Sequence, residues 1–378
     1  MNRGFEMKTK ITMIFLILWL AFACSEKSTE PTVNPEAPQQ INDGWETAAL
    51  ESQGLDSDRI NWMSNRIRNR EFGDIHSMVI ARHGKLVFEQ YYGEGARNDL
   101  HNVYSITKSV ASALIGIAID NGYINSVDQT LEEFFPEYAD ILAGDSVKKA
   151  ITLQQLLSMT DGLEWDEWTY AYSDSRNDAT RMARRGDWMR FVLDRPVVMQ
   201  PGSQFVYSSG TSVLLSGIIR NTTEQQTDEF AAQYLFEPMG ITEHTWVRQS
   251  DGFVNTGWGL NLKSRDIAKF GQLFLNNGQW NNQQIISSQW VQESTASHTN
   301  VWEGVDYGYQ WWLRRRPEQP GFTPSANDIF HGHGYGGQFV FVIPSLEIVA
   351  VFTSGNFNSN ETLPIAILYE GIIEAVAD

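Results

Sequence analysis

Met78-Val79-Ile80-Ala81-Arg82-His83-Gly84-Lys85-Leu86-Val87-Phe88-Glu89-Gln90-Tyr91-Tyr92 is two strand-forming runs separated by a His-Gly break. Such a pattern predicts a β-hairpin turning at His83-Gly84. A second hairpin is expected near the other end, where Phe339 to Pro344 and Glu347 to Thr353 are joined through Pro344-Ser345-Leu346. Between them the period changes. Val110 to Asn121 is a run of small and apolar residues ending at Gly122, and it reads as a buried helix. Leu153 to Met159, Thr211 to Asn221 and Ile267 to Leu275 also read as helices, and Leu363 to Ala377 carries apolar residues at helical spacing. Strands early and late with helices between them predict an α+β fold, an antiparallel sheet completed by both chain ends and flanked by N- and C-terminal helices.

Composition narrows the function classes. The chain has 378 residues, 42% of them hydrophobic, which is enough for a substantial core and excludes a mainly disordered protein. A single Cys excludes a disulfide framework and any cysteine-rich metal site. The formal net charge of -18 argues against nucleic acid as a partner, because binding a polyanion needs a basic face.

The N-terminus reads as an address. Lys8 and Lys10 precede the apolar run Ile11 to Ala23, followed by the lone Cys24. A charged segment, a short apolar one and small residues before a break describe a secretory signal peptide over residues 1–23. The apolar run is too short to span a bilayer as a helix. The stretch resembles a bacterial lipoprotein signal, which implies lipidation of Cys24, export, and a periplasmic or outer-membrane-anchored protein. The membrane would then be a partner only through that anchor. Residues 25–40, rich in Ser, Glu, Pro and Thr, read as a flexible tether, placed at 24–44 ahead of a folded body over 45–378.

Three stretches of the body carry candidate chemistry. Ser105-Ile106-Thr107-Lys108 has the form S-x-x-K at the start of the apolar helix. Positions i and i+3 of a helix share a face, so the Lys amine can reach the Ser hydroxyl, and burial would lower its pKa enough to accept a proton. The same spacing recurs at Ser146-Val147-Lys148-Lys149, in a polar stretch without a buried helix behind it. Tyr207-Ser208-Ser209 follows a Pro201-Gly202 turn. A phenol near an amine can relay protons, and Ser209 can bond the same ammonium, although taken alone the stretch is more simply a packed aromatic beside a turn. His331-Gly332-His333-Gly334-Tyr335-Gly336-Gly337-Gln338 runs into a strand, where Gly permits close backbone approach. A zinc site is not expected, since H-E-x-x-H and any third spaced ligand are missing. G-x-S-x-G is absent too, which argues against a Ser-His-Asp hydrolase.

Taken together, these three boxes in this order, with Ile151-Thr152-Leu153-Gln154-Gln155-Leu156-Leu157-Ser158-Met159-Thr160-Asp161-Gly162-Leu163 between them, resemble the serine β-lactamase-like superfamily over about residues 45–376. That group includes class C β-lactamases, D-alanyl-D-alanine carboxypeptidases, esterases and 6-aminohexanoate-dimer hydrolases. The resemblance implies a two-lobed transpeptidase-like fold with an all-helical lobe inserted at about 120–245. It implies Ser105 as acylated nucleophile, Lys108 as its activator and Tyr207 as base or proton relay. The oxyanion would be held by the N–H of Ser105 and one from the strand after His333, with Gly334 the candidate. No cofactor is implied. The second box has Ser209 where β-lactamases carry Asn, and the third lacks Lys-Thr-Gly. His333 or His331 would have to replace that Lys in holding a substrate carboxylate. The departures favour a small-molecule amide or ester hydrolase of the 6-aminohexanoate-dimer hydrolase and esterase branch. The alternatives are a class C-type β-lactamase or D-Ala-D-Ala carboxypeptidase, and a non-catalytic binding or sensor domain. Trp165, Trp168, Tyr170 and Tyr172 are expected either to wall the cleft or to pack in the core.

Overall fold

The structure is a computed structural model that describes residues 37–314, 328–357 and 359–377. The expected signal peptide, Cys24 and most of the tether lie outside the described residues. What is described of the tether's end is packed on the body. Asp43 pairs with Arg265 at 2.8 Å, and the Gln39 carbonyl accepts from the same guanidinium. The packed domain therefore starts before Trp45.

A nine-stranded sheet forms the larger lobe. Its strands are β1 (Glu46–Thr47), β2 (Ile75–Arg82), β3 (Lys85–Tyr91), β4 (Thr299–Trp302), β5 (Val305–Tyr307), β6 (Trp312–Arg314), β7 (Ile329–Gly334), β8 (Gln338–Ile343) and β9 (Ile348–Ser354). The spatial order is β1-β3-β2-β9-β8-β7-β6-β5-β4, antiparallel except for the β1/β3 pair. The last strand thus lies between β2 and β8, and the two chain ends close one sheet, as the sequence predicts. The first hairpin turns where expected, with His83 and Gly84 both at positive φ (52° and 74°), the backbone hand that matches strand twist.

Strand periodicity divides the core in two. Val79, Ala81, Val340, Val342, Val349 and Val351 face one side, against α2 (Ile106–Asp120) and α4 (Ser264–Leu275), with α3 (Ser209–Thr223) beyond. Their neighbours Met78, Ile80, Phe339, Phe341, Ile348 and Phe352 face the other side, under α1 (Ser57–Arg68) and the C-terminal segment. Both faces being covered explains why these strands are almost continuously apolar. Gly271 lets α4 lie directly on the sheet, because a Cβ there would sit 2.6 Å from Val349 and 2.8 Å from Val340.

The structure refines the sequence reading at three places. The C-terminal stretch is helical from Leu363 to Ala375, an α-helical turn (Leu363–Ile367) continuing into π-helical (Leu368–Ile372) and 3-10 (Ile373–Ala375) turns, and stops short of Ala377. Strands β4, β5 and β6 were not anticipated; each has three or four residues, too few to show a period. The His-Gly box runs into strand β8 at Gln338, as expected, but its first half is itself a further strand, β7. The segment at about 120–245 contributes short helices and α3 but no strand of the nine-stranded sheet.

Gly271→Ala should lower stability by about 1–3 kcal/mol, the usual cost of overpacking a dense interface. Urea denaturation checks it; an unchanged midpoint would mean that α4 is not seated as described.

Candidate active site

The local sequence explains how Ser105 is presented. Tyr104 holds a left-handed backbone (φ 45°), unusual for a bulky residue, with its N–H bonded to Asn102 Oδ1 at 2.7 Å. This bend starts α2 at once, so that Ser105 caps the helix and Lys108 follows one turn later. Ile106 to Ala118 are all buried, as expected of a helix apolar on every side.

Lys108 is 1% exposed, and its Nζ lies 3.0 Å from Ser105 Oγ, 3.0 Å from Ser209 Oγ and 2.7 Å from the Gly257 carbonyl. Burial pulls its pKa down to about 8, although the Glu167 carboxylate opposes that fall. Tyr207 is buried beside it, with Nζ 4.9 Å from the ring centroid, and lines the same pocket as Ser105. Burial, reinforced by the Glu167 charge, raises the Tyr207 pKa far above that of a free phenol. It is therefore a neutral proton carrier at neutral pH. Ser105, Lys108, Tyr207 and Ser209, drawn from three distant stretches, meet in one cluster.

Alternation along β7 explains the His-Gly-His-Gly pattern. Gly332 and Gly334 face the nucleophile's helix. A Cβ on Gly332 would lie 3.2 Å from Ser109 Oγ, and one on Gly334 only 2.2 Å from the Val103 carbonyl. His331 and His333 face the opposite way and stack on aromatic rings of β8; His333 lies 4.2 Å from the Phe339 centroid. Both still line the cleft, with Ser105, Tyr207, Arg314 and Glu361. Burial and the nearby Arg314 guanidinium push the His333 pKa down to about 3 and that of His331 well below its ordinary value. Neither imidazole is therefore a standing cation, and the positive charge in this pocket belongs to Arg314. The expectation that a His stands where a carboxylate-holding Lys would is matched by position, since both rings line the cleft, and Arg314 is a further group there that the sequence reading did not include. Gly334 serves for packing; the next residue, Tyr335, lines the cleft, and among the described residues neither its N–H nor that of Ser105 makes a hydrogen bond.

Ser105 sits between two pockets. One, ≈ 330 Å³, is mostly apolar and includes Tyr104, Tyr172, Ala179, Ala183 and Trp258. The other, ≈ 250 Å³, holds Trp168, Tyr207, Trp302 and Trp312 beside the charged groups. Of the four aromatics expected either to wall the cleft or to fill the core, Trp168 and Tyr172 line the cleft, Trp165 packs in the core against Gly210, and Tyr170 lies under Arg176. The second S-x-x-K is a single surface turn, where Lys148 Nζ bonds the Leu193 carbonyl and Lys149 pairs with Glu132.

Sequence reasoning missed Glu167, Gly257 and Arg314. Glu167 stands inside the aromatic stretch already singled out, but Asp166 lies beside it there, so the sequence alone did not tell which of the two acids enters the site. Nothing local marks Gly257 or Arg314.

A sheet lobe and a helical lobe meeting at a Ser-Lys-Tyr cluster are the arrangement of the β-lactamase fold. The family model described as Beta-lactamase matches residues 69–371, and the chain belongs to that family. It is 24% identical over 283 residues to the 6-aminohexanoate-dimer hydrolase of Paenarthrobacter ureafaciens, covering 71% of this chain and 69% of the relative. Its fold matches that of EstCE1, a hydrolase with promiscuous acyltransferase activity (TM-score 0.67, 17% identity, 85% of this chain and 99% of the other). It also matches the D-alanine carboxypeptidase AmpC from Burkholderia cenocepacia (TM-score 0.62, 16% identity, 84% and 99%).

His333 should stay neutral throughout pH 5–8, since its pKa is pushed down to about 3, and His331, lowered by its burial, should be neutral at pH 7. ¹⁵N chemical shifts of the ring nitrogens report this; a protonated ring at pH 7 would restore a His as the pocket's cation.

Proposed function

We propose that this protein is a serine hydrolase that cleaves an amide or ester bond through an acyl-enzyme on Ser105. The observation that carries the reading is the 3.0 Å contact between Ser105 Oγ and an amine whose pKa is about 8. An ordinary lysine is almost wholly protonated at neutral pH, whereas this one has an appreciable neutral fraction.

The Ser105 proton passes to Lys108 Nζ as Oγ attacks the substrate carbonyl carbon. The backbone N–H groups of Ser105 and Tyr335 donate to no acceptor among the described residues and are assigned to the developing oxyanion. Collapse breaks the carbonyl bond to the leaving nitrogen or oxygen, which takes the Tyr207 proton, while the Lys108 ammonium beside the ring favours the phenolate so formed. Water then adds to the acyl-enzyme by the same steps in reverse.

The amide and ester assignment over β-lactam hydrolysis is supported by Ser209 and by the third box. A neutral-histidine pocket with Arg314 replaces the lysine that a β-lactamase presents there. The relative named as a 6-aminohexanoate-dimer hydrolase points the same way.

A fluorophosphonate should label Ser105 and not the Ser105→Ala or Lys108→Ala variants, and p-nitrophenyl butyrate should turn over faster than nitrocefin. Because the reactive form is neutral Lys108, kcat/KM should rise with pH through a limb centred near 8. It should show no fall from Tyr207 ionisation below pH 10, since that pKa is raised. No labelling of folded wild-type protein would favour the binding-domain alternative, and faster nitrocefin turnover would favour a β-lactamase.

A further inference from the structure

Glu167 is 4% exposed and receives four hydrogen bonds. Its Oε2 accepts from Trp165 Nε1 at 2.8 Å and from the Ser209 N–H at 2.7 Å. Its Oε1 accepts from the Ser209 hydroxyl at 2.5 Å and from the Tyr172 hydroxyl at 2.9 Å. Its backbone carbonyl is tied to Asn177 Nδ2 at 3.1 Å. With two donors on each oxygen, this carboxylate is saturated by the protein, although it borders the apolar pocket.

An ionised carboxylate only accepts, so the single Ser209 proton is spent on Glu167. Toward Lys108 the Ser209 oxygen can then only accept, and the Gly257 carbonyl can never do otherwise. A neutral Lys108 has two N–H bonds and one lone pair. The two N–H bonds must go to these two obligate acceptors, which leaves the lone pair facing the Ser105 hydroxyl.

We propose that Glu167 is a positioning residue for the Ser105–Lys108 pair: by fixing the direction of the Ser209 hydroxyl, it aims the Lys108 lone pair at Ser105. This rests on the hydrolase reading above. Of the three polar contacts of Lys108, the one to Ser105 is the only one whose direction can reverse, so the proton has one route.

Glu167→Gln tests the direction specifically. Ser209 N–H and Trp165 Nε1–H are fixed donors on one oxygen, so the Gln carbonyl takes that side and its NH₂ faces the Ser209 hydroxyl. Ser209 then accepts from Gln, turns its proton to Lys108 and occupies the lone pair.

The experiment is the rate of Ser105 phosphonylation by a fluorophosphonate in wild type, Glu167→Gln, Ser209→Ala and the double variant, with folding checked by near-UV circular dichroism. Glu167→Gln should react roughly 100-fold more slowly, the scale of one general-base contribution. In the Ser209→Ala background the same change should cost at most about threefold, because no hydroxyl is left to direct. The acid limb of the Glu167→Gln rate should also move to lower pH, since a charge that holds up the Lys108 pKa is removed; loss of packing alone would not move it. Wild-type labelling with an unslowed Glu167→Gln overturns the positioning role alone, and so do single effects that multiply in the double variant. Unlabelled wild type overturns the hydrolase reading beneath it. Should Glu167→Gln not fold, Ser209→Ala reacting at the wild-type rate overturns the role.

Discussion

Lys108 is an amine enclosed in a protein interior, and much of the architecture answers to that one desolvated group. Water would hydrate an exposed ammonium; here two hydroxyls and one carbonyl take its place. Burial makes the charged form costly, and the carboxylate of Glu167 returns part of that cost through its field. The result is an amine that holds or releases a proton near neutrality, which neither a surface lysine nor a fully isolated buried one does.

Enclosure requires two lobes. The helix bearing Ser105 and Lys108 belongs to the core between the sheet and α3, and its neighbours come from separated parts of the chain. Ser209 opens α3, Gly257 lies in a loop before α4, and Glu167 lies in the helical insertion. The sheet contributes by proximity. Gly332 and Gly334 remove side chains where β7 passes the helix start, bringing the strand's end beside Ser105, while the alternate positions place two stacked imidazoles on the cleft side. One four-residue alternation thus serves packing on one face and the pocket on the other.

The two pockets beside Ser105 differ in character, one mostly apolar and the other combining exposed Trp168 and Trp302 with Arg314 and Glu361. A substrate bound across the nucleophile would place unlike groups on the two sides of its scissile bond. That arrangement fits amides or esters with one apolar arm and one polar arm.

Much was legible in the sequence because it was written locally. The two hairpins, the buried α2 and α3, and the S-x-x-K pair depend on periods and spacings within a dozen residues, and backbone geometry converts these directly into faces and turns. The short strands β4 to β6 were not legible, since three residues show no period and their pairing is fixed only by a neighbouring edge. The sequence by itself determined the α+β class, the closing of the sheet by both chain ends and the identity of the Ser, Lys and Tyr. Only the tertiary structure brought Glu167 onto Ser209, set Arg314 and Glu361 in the pocket, and buried both histidines beside them. Ionisation and hydrogen-bond direction follow from which groups surround an atom and how much water is excluded, and chain order encodes neither.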